Sequence, residues 1–229
     1  MRFRFVVTEV TDYGNNHHCV AGWDLVAKRM VRPEPGAQEF WPKNFVGPKS
    51  VFWPGHVVEF EADVPANQPY PHATEDVIVR SGSLPKTVVK DRWALARAVR
   101  DSVSATLNML FDGKMVRLNR SAYIPAGSKC RSLGAVEISR RDLQLSQRRW
   151  GDGPPKLRAT IVNERLNLGV TSTTLRRTFF DGGVEAIDQL LSKAAKLHLR
   201  IGLARPFPPE HPTKCFLQIN GLYITDRQV

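Results

Sequence analysis

Cysteine is scarce in this chain, and its three cysteines stand far apart. Cys19, Cys130 and Cys215 are odd in number and form no CxxC pair. This usage favours a reducing, intracellular compartment. His17 and His18 beside Cys19 are the nearest approach to a zinc site, but the spacing that zinc-binding motifs share is missing. We therefore predict no metal.

Long apolar runs are also missing, and this bears on membranes and export. No stretch of about 18 consecutive apolar residues occurs, so a transmembrane helix is not expected. The basic and apolar start MRFRFVVTEVTDYG acquires Glu9 and Asp12 before any small-residue cleavage site, which is unlike a signal peptide. The sequence predicts a cytoplasmic protein without a membrane partner.

Recognisable catalytic motifs are absent as well. The chain has no GxSxG, Walker loop, GxGxxG, HExxH or metal-spaced carboxylate pair. His72 with Asp76, or His17 with Cys19, lacks the third group that would complete an acid–base or nucleophilic arrangement. We predict no enzyme, no catalytic residue and no cofactor.

Basic residues, by contrast, are in excess. The chain of 229 residues has 33 Lys and Arg against 22 Asp and Glu, a formal net charge of +11. A positive field of this size raises both the affinity for polyanions and the rate of encounter with them. The charge therefore favours nucleic acid as the partner, with anionic membrane surfaces second.

Hydrophobic periodicity predicts many strands and few helices. Strand-like alternation or apolar runs occur at 1–10, 56–64, 76–80, 132–139, 157–172, 197–207 and 214–225. The segment 19–33 is expected to form an interrupted strand pair or one long bulged strand, with its bend at Gly22. Helical spacing covers 90–113 and the segment from Val184 to Lys196. The expected helical face of the first segment comprises Trp93, Ala96, Val99, Val103, Leu107 and Leu110.

The element count points to a fold class. About nine strands and two helices predict a mostly β chain with two helices (β-rich α+β), built as two OB-like small barrels packed in one compact unit. The first OB-like barrel with its closing helix is expected at 1–112, and the second with one helix at 113–229. No sequence repeat relates the two halves.

The order of several short motifs resembles a known family. These motifs are CVAGWDL with MVRP, HATEDVIV, LRATIVNERLNLGVTS, and LRIGLARPF with KCFLQINGLYI. In this order they resemble the bacterial family of proteins with a dual OB-containing domain. The resemblance covers most of the chain and implies two OB-like barrels that bind nucleic acid or nucleotides. The segment 33–55 is longer and more aromatic than the resemblance leads us to expect.

OB barrels bind single strands with aromatic platforms for bases and basic residues for phosphates. On that basis we predict a binding site for single-stranded DNA or RNA. Its residues are Trp23, Lys28, Arg29, Arg32, Trp41, Arg176, Arg177, Arg200 and Arg205.

Several alternatives stay open at this stage. The tryptophans can plug the barrel ends instead of stacking on bases. The segment TSTTLRR, 171–177, can cap a helix instead of holding a phosphate. The aromatic loop 33–55 can dock a protein partner, within a larger complex such as an antiviral or mobile-element system. A fourth alternative is a nucleotide sensor or hydrolase with its ligand near Arg176 and Arg177.

Overall fold

The computed structural model describes residues 1–14, 16–149, 151–207 and 210–225. The chain divides into two units: unit 1 comprises Met1–Gln68 with Ala73–Ser102, and unit 2 comprises Pro69–His72 with Val103–Val229. The main division follows Ser102, whereas the sequence places it after residue 112.

Unit 1 consists of seven strands and one α-helix within the described residues. They are β1 (Arg2–Gly14), β2 (His17–Asp24), β3 (Met30–Glu34), β4 (Trp41–Pro42), β5 (His56–Asp63), β6 (Asp76–Val79), β7 (Lys86–Lys90) and α1 (Arg92–Asp101).

Five strands of unit 1 form a closed ring of pairings. Strand β1 pairs with both β2 and β5, β2 pairs with β3, β3 runs parallel to β6, and β6 returns to β5. The alternating apolar side chains of these strands fill the interior, where Phe5 contacts Phe52 and Phe60 edge to face. Burial of one side of every strand explains why the alternation in the sequence predicts them.

Unit 2 consists of nine strands and two α-helices within the described residues. They are β8 (Val103–Ser104), α2 (Leu107–Leu110), β9 (Val116–Leu118), β10 (Ser121–Pro125), β11 (Leu133–Ser139), β12 (Leu143–Arg148), β13 (Lys156–Ile161), β14 (Leu166–Val170), α3 (Thr173–Leu191), β15 (Lys196–Leu203) and β16 (Lys214–Ile224).

Unit 2 repeats the pairing pattern of unit 1. A 3-10 turn at Arg140–Asp142 joins β11 to β12, so these two strands act as one long first strand. Its ends pair with β13 and β15, β13 pairs with β14, β14 runs parallel to β16, and β16 returns to β15. Helix α3 occupies the chain position that the aromatic segment has in unit 1.

The predicted fold class is confirmed: the chain is mostly β, with a β-rich α+β architecture. The described residues form three α-helices instead of two. The expected helix over 90–113 is interrupted because Val103 and Ser104 pair in parallel with Ala135 and Val136 of β11. Its predicted apolar face is also incomplete, since Trp93 is 51% exposed.

Helix α3 begins earlier than the sequence suggests. The hydroxyl of Ser172 accepts a hydrogen bond from the backbone N–H of Leu175, so TSTTLRR supplies a helix cap. The helix bends at Gly182 and Gly183, and Gly183 adopts a φ of 72° that a side chain disfavours. This bend interrupts the helical periodicity, which is why the sequence predicts only the half from Val184 onward.

Candidate nucleic-acid interface

A groove of about 730 Å³ lies on the outer face of β12, β13 and β14 in unit 2. The turn between β9 and β10 and the start of β16 complete its walls. The residues that line it are Leu118, Asn119, Arg120, Ser121, Ser146, Gln147, Arg148, Arg158, Asn167, Leu168, Gly169, His211, Phe216 and Leu217.

The alternation of β13 turns Arg158 toward this groove. Leu157, Ala159 and Ile161 are buried in the core of unit 2. Because successive side chains of a strand point to opposite faces, Arg158 and Thr160 lie on the outer face. The strand thus places a guanidinium in the groove without disturbing the core.

Hydrogen bonds to uncharged acceptors hold the guanidinium of Arg158 in place. Its Nε donates to Oδ1 of Asn167 at 2.8 Å, and its Nη2 donates to the backbone carbonyl of the same residue. The amide of Asn167 in turn donates to the hydroxyl of Thr160 at 2.8 Å. Gly169, opposite Arg158 on β14, leaves room for the guanidinium, since a Cβ there would lie 3.4 Å from Nη1. Arg158 is therefore positioned before any ligand arrives.

The electrostatics of the groove favour an anion. Among the described residues that line it are three arginines, Arg120, Arg148 and Arg158, and no carboxylate. Burial lowers the pKa of Arg158 from its ordinary value, and the positive charge of Arg148 lowers it further. A phosphate between these guanidinium groups would offset both effects by providing an opposite charge and hydrogen-bond acceptors.

Aromatic rings line the same groove. The ring of Phe216 lies 5.0 Å from His211 and 5.8 Å from Tyr123, measured between centroids. The Nζ of Lys214 lies 5.4 Å from the centroid of Tyr123. Phe216 is only half-buried, so one apolar ring is accessible beside the arginines. Flat rings next to cations are the combination that binds bases and phosphates of a single strand.

The predicted site residues near the start of the chain are dispersed. Lys28 and Arg29 are exposed in the turn between β2 and β3, where Lys28 adopts a φ of 52°. Trp23 packs against the apolar contact between α1 and the sheet of unit 1, and is half-buried. None of these three residues lines the groove of unit 2.

Three of the predicted site residues are buried, and the structure corrects their role. Arg32 forms an ion pair with Asp76, and both side chains are at most 9% exposed. Trp41 packs against the core of unit 1, and Arg200 is fully buried in β15. A buried side chain offers a ligand no contact surface, so these three residues are not part of the candidate interface.

The remaining predicted arginines lie outside the groove lining. Arg176 lies 5.7 Å from the centroid of Phe180 in α3, and Arg177 of the same helix is exposed. Arg205 is half-buried in the connection from β15 to β16, the connection that also supplies His211.

Gly202, between Arg200 and Arg205, leaves room for the side chain of Asn220. The Nδ2 of Asn220 lies 2.1 Å from the position that a Cβ of residue 202 would occupy.

The aromatic loop 33–55 packs largely inward. Trp41 contacts Phe45 and Phe52, with ring centroids 5.1 and 4.8 Å away, and Phe40 stacks on Tyr13 at 3.7 Å. Trp41, Phe45 and Phe52 thus contribute to the core of unit 1, which for Trp41 agrees with the alternative that a tryptophan plugs the barrel end.

The sequence analysis does not identify Arg120, Arg148, Arg158, His211 or Phe216 as site residues, although all five line the groove. Arg158 had a signal, because the alternation of LRATI assigns it to the outer face. The others depend on pairings between segments distant in sequence.

Metal clusters and membrane-spanning helices are both missing from the described residues. No group of three or more His, Cys, Asp or Glu there could hold a metal ion. Within the same residues, no helix has the length and apolar character to cross a membrane.

The Sγ of Cys215 lies 3.9 Å from Nδ1 of His72, and burial raises the pKa of the Cys215 thiol to about 11.

Comparison with known proteins gave no match among protein families, curated proteins or solved structures. The residues of the chain itself are therefore what point to a function.

Proposed function

We propose that this protein binds single-stranded nucleic acid in the groove of unit 2. Arg120, Arg148 and Arg158 contact phosphates, and Phe216 with His211 provides the surface on which bases stack. The observation that carries the proposal is the coincidence, in one groove, of three guanidinium groups with accessible rings and no carboxylate among its described lining residues.

The strand pattern supports the same proposal. We interpret each ring of five strands as an OB-type barrel, in agreement with the resemblance to proteins with a dual OB-containing domain. OB barrels bind oligonucleotides on the face of their second and third strands and with the adjacent loops. In unit 2 those strands are β13 and β14, and they form the floor of the groove.

The proposal selects single strands over duplexes for a physical reason. A base in a duplex is stacked on its neighbours and cannot present its face to Phe216 or His211. Stacking on an aromatic side chain requires an unpaired base and tolerates any sequence, because every base has a π face. We expect binding to depend weakly on sequence.

A direct test compares the protein with a variant whose groove has lost two charges. Arg148→Gln with Arg158→Gln is expected to weaken binding of a labelled oligothymidylate by about 10-fold or more, because hydrogen bonds to charged groups contribute about 1.5–3 kcal/mol each. Fluorescence anisotropy at low ionic strength measures the dissociation constants.

Lys193→Gln serves as the control, since Lys193 is exposed, basic and outside the groove lining. It is expected to change the affinity by less than about 2-fold, the effect of one distant surface charge. Absence of binding by the unmodified protein at low salt would rule the proposal out. Equal losses of affinity in Lys193→Gln and in the groove variant would show that binding is non-specific attraction between charges.

A further inference from the structure

A second pocket, of about 520 Å³, lies in unit 1 at the start of α1. It is separate from the groove of unit 2, and the function proposed above makes no use of it. The residues that line it are Pro48, Trp53, Pro54, Gly55, His56, Lys90, Asp91, Arg92, Trp93 and Leu95.

Two indole rings define the chemistry of this pocket. Trp93 is 51% exposed, and Trp53 is half-buried. Exposing an indole this far forgoes much of the free energy that its burial would contribute. Both rings are surfaces on which a flat apolar ligand can stack, and the volume lies in the range of pockets that bind small ligands.

The charges around the rings favour an anionic ligand. Lys90 and Arg92 line the pocket, and the guanidinium of Arg92 lies 5.2 Å from the centroid of Trp93. Arg97 and Arg100 are exposed on α1, four and seven residues after Trp93, and so lie near it on the helix surface. Two cations thus line the pocket, and two more follow Trp93 on the exposed surface of α1.

Asp91, the one carboxylate among the described residues that line the pocket, is already engaged. Oδ1 of Asp91 accepts the backbone N–H groups of Trp93 and Ala94, each at 2.9 Å, and Oδ2 lies 3.9 Å from Arg97. Asp91 therefore caps α1 and satisfies two of the amides that a phosphate could have bound at the helix start. A phosphate near this pocket would be held by arginine side chains instead.

We propose that the Trp53–Trp93 pocket stacks one unpaired base of a nucleic-acid strand, while Arg97 and Arg100 contact the phosphates of the same strand. An anionic backbone complements Lys90 and Arg92 in the pocket and the two exposed arginines of α1, whereas a cationic peptide would be repelled by them. The site is additional to the groove of unit 2 and does not depend on it.

The test uses the full chain with Arg148→Gln and Arg158→Gln, so that binding in the groove is weakened. In this background an oligothymidylate of about 12 nucleotides, within the range of OB site sizes, is titrated while tryptophan emission is recorded. We expect binding to quench tryptophan emission. Trp93→Leu is expected to remove the contribution of Trp93 to this quenching. It is also expected to lower the affinity about 5- to 150-fold, the range for loss of one base–aromatic stack.

Two comparisons make the result specific. An oligonucleotide of the same length with abasic sites is expected to bind without the Trp93-dependent quenching, because it has no ring to stack. Tyr13→Leu removes another exposed ring of unit 1 outside this pocket, and is expected to leave the affinity unchanged.

The outcomes separate this pocket from the groove. If the groove variant binds no oligonucleotide, or if Trp93→Leu changes neither quenching nor affinity, the pocket is not a base site, although the groove proposal stands. If a proline-rich peptide quenches Trp93 and the oligonucleotide does not, the occupant is a peptide and the proposal is overturned. If the groove variant binds as tightly as the unmodified protein and Trp93→Leu abolishes binding, the groove proposal fails and the pocket remains.

Discussion

Replacing Arg32 with methionine is expected to lower the free energy of unfolding by about 3–5 kcal/mol, the range for breaking a buried ion pair on one side. The guanidinium of Arg32 bonds to Asp76, its neighbour across the parallel pair of β3 and β6. Methionine keeps most of the volume but leaves the Asp76 carboxylate buried without its cation. Urea denaturation of the full chain measures the loss.

The pKa of Arg32 has the same physical origin. Burial alone would lower it, but the charge and hydrogen bond of Asp76 outweigh burial and raise it above the ordinary arginine value. The guanidinium therefore stays charged in the folded protein. Removing it leaves the Asp76 carboxylate to bear the unfavourable free energy of its own burial.

The matched control removes both charges together. Arg32→Met with Asp76→Leu is expected to recover most of the lost stability, since apolar residues can replace a buried ion pair at little cost. Oligonucleotide affinity should be unchanged in the double variant. A single variant of normal stability with at least a 10-fold weaker affinity would instead identify Arg32 as a binding residue, as the sequence predicts.

Trp41→Ala is expected to be equally damaging, with a loss of about 3–5 kcal/mol, the cost of removing a large aromatic side chain from a core. Trp41 is 3% exposed, and its Nε1 donates to the carbonyl of Pro33 at 2.7 Å. The substitution leaves a cavity beside Phe45 and Phe52 and leaves that carbonyl without this donor. Thermal or urea denaturation measures the effect.

Trp93→Leu is the control for this prediction, because it removes an indole that is 51% exposed. Its effect on stability should stay below about 0.5 kcal/mol, as for most surface substitutions. Oligonucleotide binding in the groove of unit 2 should survive Trp41→Ala under conditions where the variant is folded. Equal stability losses in the two tryptophan variants would contradict the assignment of Trp41 to the core.

The sequence predicted what depends on local periodicity. The alternation in HVVEFEADV and LRATI follows from one face of each strand being buried, and both segments are strands in the structure. The helix over 90–113 was predicted wrongly at Val103, because strand pairing with β11 overrides helical spacing there. Local pattern cannot report a partner that lies more than thirty residues away in the chain.

The same limit explains why local sequence pattern does not identify the candidate site. Arg32 and Arg158 each follow an apolar core residue in a strand, Val31 and Leu157, so local pattern gives no reason to treat the two arginines differently. Asp76, 44 residues after Arg32, pairs with one guanidinium, whereas Asn167 orients the other without neutralising it. Only the fold brings each arginine to its partner. The sequence suggests the likeness of the two units only through the element count and the resemblance, because strand order repeats without sequence repeating.

The salt dependence of oligonucleotide binding tests the central claim most directly. For single strands, the logarithm of the binding constant should fall with the logarithm of salt concentration by about 0.7 for each phosphate neutralised. Between about 0.05 and 0.2 M salt, Arg148→Gln with Arg158→Gln should flatten this slope by about 1.4, while Lys193→Gln should leave it unchanged. A groove variant with the slope and affinity of the unmodified protein would contradict the account.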